Sequence, residues 1–324
     1  MAQQAPSGIL LYAKPPDITS FTSLSVIKKA LGTKKVGHTG TLDSFADGLL
    51  VVLVGSLTRL VPHITALDKT YRALIRFGTE TDTLDPTGRV VTCAPLPAEA
   101  AFLGVLPGFL GTITQVPPVY SAIHIGGKRA SDIARKNART PKDSADCGGH
   151  TPVPVIPPRQ VTIRELTVLD FTGGTALIQV RCSKGTYIRS LARDLAHACG
   201  SAAHLTTLTR SAVGDFRLDE AVSEGAAAGD TEAARIRSAL LPLTPALAAR
   251  CGLDAVTVRE QALGDFRHGK AIRPDWFQDA GGGGHRVDAA PGGRDMAVFT
   301  AAGDFTGVLR QNGDGWTYGF VVPC

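Results

Sequence analysis

The chain has no apolar run near the roughly 18 residues needed to span a bilayer, so a membrane-embedded protein is not expected. Met1 to Gly8 lacks a basic stretch followed by an apolar one, so no secretion signal is expected either. Six cysteines, Cys93, Cys147, Cys182, Cys199, Cys251 and Cys324, show neither CxxC pairs nor Cys/His zinc spacing. A reduced, cytoplasmic protein that uses no metal is the expectation. Aromatics make up only 6% of the chain and charged residues 19%, against 44% hydrophobic, the balance of a soluble globular protein. Basic excess is slight. A net charge of +5 and a pI near 8.9 permit nucleic-acid binding without demanding it. No repeat of fixed period is present. At 324 residues the chain is long enough for one large domain plus a small one, or for two domains.

Periodicity supplies the elements. Leu10 to Lys14 reads as a short strand ended by Pro15-Pro16. Leu24, Ile27 and Leu31 share one face of a helix over 19–31, with Ser20 or Thr22 as its cap and Gly32 as its stop. Leu49 to Val54 is a continuous apolar run, and Tyr71 to Phe77 alternates as a strand does. Thr79 to Gly88 is a polar turn. Pro97 to Leu106 suggests a helix and Gly111 to Val116 a strand. Val161 to Phe171 and Ala176 to Ser183 form a strand pair across Gly173-Gly174. Ile188, Leu191, Leu195 and Cys199 mark an amphipathic helix over 186–199, stopped by Gly200. A further helix is expected over 231–240. After Pro245 come short apolar runs separated by glycine, which read as a small β-rich domain. Between Ser121 and Arg159 the chain is basic, glycine- and proline-rich and aperiodic, the composition of an exposed loop.

The chemistry is carried by four segments. The first is Lys35-Val36-Gly37-His38-Thr39-Gly40-Thr41-Leu42-Asp43, a turn-forming stretch that ends on a carboxylate. By itself Asp43 reads as a capping residue. Lys69-Thr70-Tyr71-Arg72 comes next, leading into Thr79-Glu80-Thr81-Asp82-Thr83-Leu84-Asp85-Pro86-Thr87-Gly88. The third is Gln115-Val116-Pro117-Pro118-Val119-Tyr120-Ser121-Ala122. The last is Cys182-Ser183-Lys184-Gly185-Thr186-Tyr187-Ile188-Arg189-Ser190-Leu191, followed by Ala203-His204-Leu205 and Leu208-Thr209-Arg210. In this order and spacing the segments closely resemble the bacterial TruB family, the tRNA pseudouridine-55 synthases. The resemblance runs from about Gly8 to Phe216.

The resemblance implies an α+β fold: a mixed, mostly antiparallel sheet flanked by helices. It implies a catalytic domain over 1–248, with an RNA-binding insertion at about 121–159, and a C-terminal RNA-binding domain of PUA type over 249–324. It implies isomerisation of one uridine in the T loop of tRNA, without cofactor or metal, by a chain most simply monomeric. Asp43 then matches the nucleophile and Arg189 the arginine that pairs with it. Tyr71 matches the tyrosine stacked on the target base. Tyr187 and Leu208 match the lining of the uridine pocket. His38 matches the histidine beside the displaced nucleotide, and Lys14 the lysine that supports the pocket. The physical logic agrees. A buried carboxylate resists ionisation, and a guanidinium neighbour restores its charge. A base inside a folded loop must be flipped out, and an aromatic face can receive it.

The chain departs from the family pattern in places. The usual KPxGxTS has Asp17 at its glycine, and Phe21 follows Ser20. Ser131 stands where an aromatic is usual, and Thr209 where a second arginine is. Two other readings use the same features. One is an RNA-binding or tRNA-folding protein whose catalysis is dispensable; the other is a synthase of the same fold acting on other RNA.

Overall fold

The computed structural model describes residues 6–121, 124–125, 128–129, 156–223, 231–279, 295–313 and 315–322. Most of the basic insertion expected at 121–159, including residues 137–155 of the loop expected over 137–158, therefore lies outside the described residues. The fold is α+β, with mixed, largely antiparallel sheets and helices. The chain divides into two compact units, Met1–Leu67 with Ser211–Cys324, and Asp68–Arg210. Among the described residues no helix is long and apolar enough to cross a membrane.

In the first unit, strand Gly8–Lys14 pairs antiparallel with Asp47–Val54, from Gly8 opposite Val54 to Lys14 opposite Gly48. Val36–His38 also pairs antiparallel with Asp47–Val54, and Val222–Ser223 pairs parallel with Gly8–Lys14. Both faces of this sheet are buried, which explains the unbroken apolar run. Leu10, Tyr12, Leu50 and Val52 pack against Leu24 and Ile27 of helix Ser20–Leu31. Residues of opposite parity, Ile9, Leu11, Leu49 and Val51, enter a different core. The helix is capped by Thr19, whose hydroxyl accepts from the Thr22 amide at 3.0 Å, rather than by Ser20 or Thr22. Gly32, at φ +64°, closes it in the left-handed conformation that glycine adopts without strain.

The C-terminal sheet also belongs to the first unit. Its order is Phe277–Asp279, Asp254–Val258, Met296–Phe299, Phe305–Asn312, Gly315–Val321. Successive residues of Met296–Phe299 face two cores. Met296 and Val298 pack with Phe266 and Trp276. Ala297 and Phe299 join Ile9, Leu11, Leu53 and Leu57. Helices Pro245–Arg250 and Glu260–Arg267 accompany this sheet.

In the second unit, Lys69–Phe77, Thr175–Cys182, Arg159–Thr172 and Gly111–Gln115 are joined in that order by antiparallel pairing. Phe77, Phe102 and Phe171 pack ring to ring with centroids 5.2–6.0 Å apart, fixing helix Glu99–Val105 on the sheet. The expected polar turn is a hairpin, with Thr79–Thr81 paired to Val90–Cys93. Helix Ile188–Ala198 follows the Thr175–Cys182 strand and buries Ile188, Leu191 and Leu195 as its periodicity foretells.

Candidate active site

Asp43 lies on the turn between strands Val36–His38 and Asp47–Val54, half-buried. Its two chain neighbours are pinned. On one side the Ser20 hydroxyl donates to the Leu42 carbonyl at 3.2 Å and accepts from the Leu42 amide at 2.9 Å. On the other, the Lys14 ammonium donates to the Ser44 carbonyl at 3.3 Å. Lys14 is 1% exposed and also donates to the carbonyls of Pro15 at 2.8 Å and Ile18 at 2.7 Å. Its charge is thus satisfied by main-chain oxygens that tie the first strand's end to the Asp43 turn. The Asp43 carbonyl accepts from the Ala46 amide at 3.2 Å, closing the turn. The Gly40 amide donates to His38 Nδ1 at 3.2 Å. Asp17, where the family pattern has glycine, sits at φ +62°. That left-handed conformation is one aspartate tolerates better than most side chains.

Arg189 belongs to the second unit, in the first turn of helix Ile188–Ala198. The entry to that helix is fixed by Gln115, whose side-chain amide copies a strand neighbour. Its Oε1 accepts from the Tyr187 amide at 2.8 Å, and its Nε2 donates to the Tyr187 carbonyl at 3.1 Å. The Arg189 side chain is buried. Nη1 donates to the Thr83 carbonyl at 2.7 Å, Nη2 donates to the Tyr120 carbonyl at 3.0 Å, and Asp85 Oδ2 lies 3.5 Å from Nη1.

Asp85 is held in turn. Its Oδ1 accepts from the Thr83 hydroxyl at 2.7 Å, the Thr87 hydroxyl at 2.6 Å and the Thr87 amide at 3.0 Å. Leu84, at φ +60°, bends the chain over this carboxylate. Gly88 has no room for a Cβ against Thr83 Oγ1 and Asp82 Oδ1. The segment from Thr79 to Gly88 is therefore a rigid mount for a guanidinium, a role that a polar turn did not announce. Asp85→Ala removes a carboxylate from a buried cation and the side-chain acceptor that ties Thr83 and Thr87 together. It is expected to cost about 3 kcal/mol of stability and to lower turnover as Arg189 loses its orientation. Asp85→Asn keeps the shape and is expected to cost less. Thermal melts and turnover measured on the same preparations check both.

Tyr71 is half-buried on Lys69–Phe77, opposite Val180. Lys69, two residues earlier, shares its face of the strand. Burial, then the Arg210 charge, lowers the Lys69 ammonium to about 8. Opposite it, burial pushes the Cys182 thiol up to about 12, so that sulfur is an inert packing group. The Arg159 guanidinium lies 5.8 Å from the centre of the Tyr187 ring. Leu208 is buried on strand Ala203–Val213. The residues singled out in sequence thus fall into two sets. Lys14, His38 and Asp43 lie in the first unit, and Tyr71, Tyr187, Arg189 and Leu208 in the second.

A family model described as TruB family pseudouridylate synthase (N terminal domain) matches residues 28–188. A Treponema pallidum (strain Nichols) protein named tRNA pseudouridine synthase B is 37% identical, over 98% of this chain and 97% of its own length. The chain belongs to the TruB family. A Treponema denticola relative of the same name is 40% identical over 83% of this chain and 85% of its own. One from Bordetella parapertussis is 44% identical over 67% and 84%. As a TruB-family chain it is a pseudouridylate synthase, an isomerase.

Among solved structures, a Cbf5-Nop10-Gar1 complex matches with a TM-score of 0.65 and 23% identity, over 97% of this chain and 84% of that one. An H/ACA RNP bound to a substrate RNA containing 2'-deoxyuridine matches with a TM-score of 0.62 and 22% identity, over 94% and 77%. These two likenesses show the pseudouridine synthase fold. The TruB family model takes in His38, Asp43, Tyr71 and Tyr187. Lys14, Arg189 and Leu208 lie outside it, within the longer span shared with the Treponema pallidum protein.

Proposed function

We propose that this chain converts uridine 55 in the T loop of tRNA to pseudouridine, with the target nucleotide flipped out and Asp43 as the nucleophile. The observation that carries the reading is the mounting of Asp43. Both residues flanking it are pinned through the main chain, by Ser20 and by Lys14, so the carboxylate is held on a fixed turn. Relatives named tRNA pseudouridine synthase B support tRNA as the substrate.

The reaction breaks the bond between the sugar C1' and N1 of uracil and forms one between C1' and C5. The C5 proton leaves to water, and N1 gains a proton. No electrons are gained or lost overall, so the balance needs no redox partner. The carboxylate acts on the base, on the sugar carbon or on a sugar proton; each route requires it ionised. Arg189 supplies the positive charge that favours that form, and its rigid mount on Asp85 orients it. Tyr71 gives the everted base a stacking face, Tyr187 and Leu208 wall its pocket, and His38 faces the displaced nucleotide.

The test uses tRNA labelled with tritium at C5 of uridine. Wild type is expected to release tritium to water from uridine 55, and to release none from that position once it is changed to cytidine. Tight binding without release would leave only an RNA-binding role. Equal release from unrelated RNA would point to a synthase of broader substrate range.

A further inference from the structure

Phe21 is 71% exposed, although it directly follows Ser20, whose hydroxyl clamps the main chain beside Asp43. It stands on the exposed flank of helix Ser20–Leu31, beside the face that buries Leu24 and Ile27. On that flank Ser25 lies one turn on, its hydroxyl donating to the Phe21 carbonyl at 3.2 Å. Two turns on, the Lys28 ammonium lies 5.5 Å from the centre of the Phe21 ring. Lys29 is exposed beside it, and Lys34 and Lys35 are exposed in the turn that follows. From Ile18 to Leu42 the sequence contains no aspartate or glutamate. An exposed ring with an ammonium over it, on a helix whose other exposed charges are lysines, marks this face as basic and open to a partner.

We propose that the exposed flank of helix Ser20–Leu31 is an RNA-contact surface. Phe21 offers its ring to an unpaired base of the substrate, and Lys28 and Lys29 take the phosphates next to it. Stacking on an aromatic ring is tolerant of base identity, and lysines bind phosphate without reading sequence, so the surface adds affinity and register rather than base choice. The charge selects the partner: an all-lysine strip suits a polyanion. The inference rests on the proposed function, since it assumes an RNA substrate.

Equilibrium binding of a T-arm RNA to the full chain, measured across salt concentrations, tests it. Phe21→Ala is expected to raise Kd about five- to 150-fold, the range for one lost base stack. Phe21→Leu is expected to lose nearly as much, because leucine keeps apolar bulk but not the ring. Lys28→Gln with Lys29→Gln is expected to flatten the dependence of log Kd on log salt by about 1.4 to 1.8, as two phosphate contacts disappear. Melting curves identical to wild type establish that the variants are folded. Kd within twofold of wild type for both Phe21 variants overturns the proposal, as does an unchanged salt slope in the lysine pair. Wild-type affinity in Phe21→Leu alone overturns stacking. Tritium release by wild type, run alongside, separates a failure of this surface from a failure of the proposed function.

Discussion

Asp43→Asn is expected to lower turnover by about four orders of magnitude or more, while the Kd for tRNA stays within about threefold of wild type. The substitution keeps size and removes charge. The turn it sits on is held through Leu42 and Ser44, by Ser20 and Lys14, so the mount survives the change. Affinity comes mostly from phosphate contacts and stacking, which one carboxylate does not supply. Turnover and filter binding on one preparation separate the two effects. Binding lost in parallel with turnover would assign Asp43 to docking instead of chemistry.

A chain ended at residue 248 is expected not to fold. Residues beyond that point contribute Cys251, Leu253, Ala297, Phe299 and Val308 to the core that also holds Ile9, Leu11, Leu53 and Leu57. Losing one large side chain from a core costs about 2–5 kcal/mol. Losing several together exceeds the roughly 5–15 kcal/mol by which a domain is stable. Aggregation, or the absence of a cooperative melt near the full-length temperature, is the expected outcome. A soluble fragment melting with wild-type cooperativity would contradict it. The role of the C-terminal sheet in RNA binding is therefore better probed by surface substitutions than by deletion.

Sequence reading served best where one local pattern decides the outcome. Helix Ser20–Leu31 has an apolar stripe and a terminal glycine, and both strands beside Gly173-Gly174 carry the expected hairpin signal. It served less well where the partner is remote. Asp85 and Arg189 meet across most of the second unit, and nothing near Asp85 names a guanidinium. Only the threonines two residues on either side hint that this aspartate is held fast. Helix Glu260–Arg267 has no legible stripe, because only Ala262 and Phe266 are buried and Gly264 interrupts the short pattern. The first helix is capped by Thr19, where the sequence offers Ser20 or Thr22 as equally good caps. The structure uses Ser20 to clamp Leu42 instead. Nor does any local signal show that short glycine-separated strands after Pro245 share a core with the first strand of the chain.

The most direct measurement is tritium release from uridine 55 of a T-arm RNA, with wild type and Asp43→Asn compared at equal RNA occupancy. One tritium per RNA from wild type and none from Asp43→Asn is the expected result. Release from Asp43→Asn at the wild-type rate would contradict the assignment of Asp43 as the reacting group.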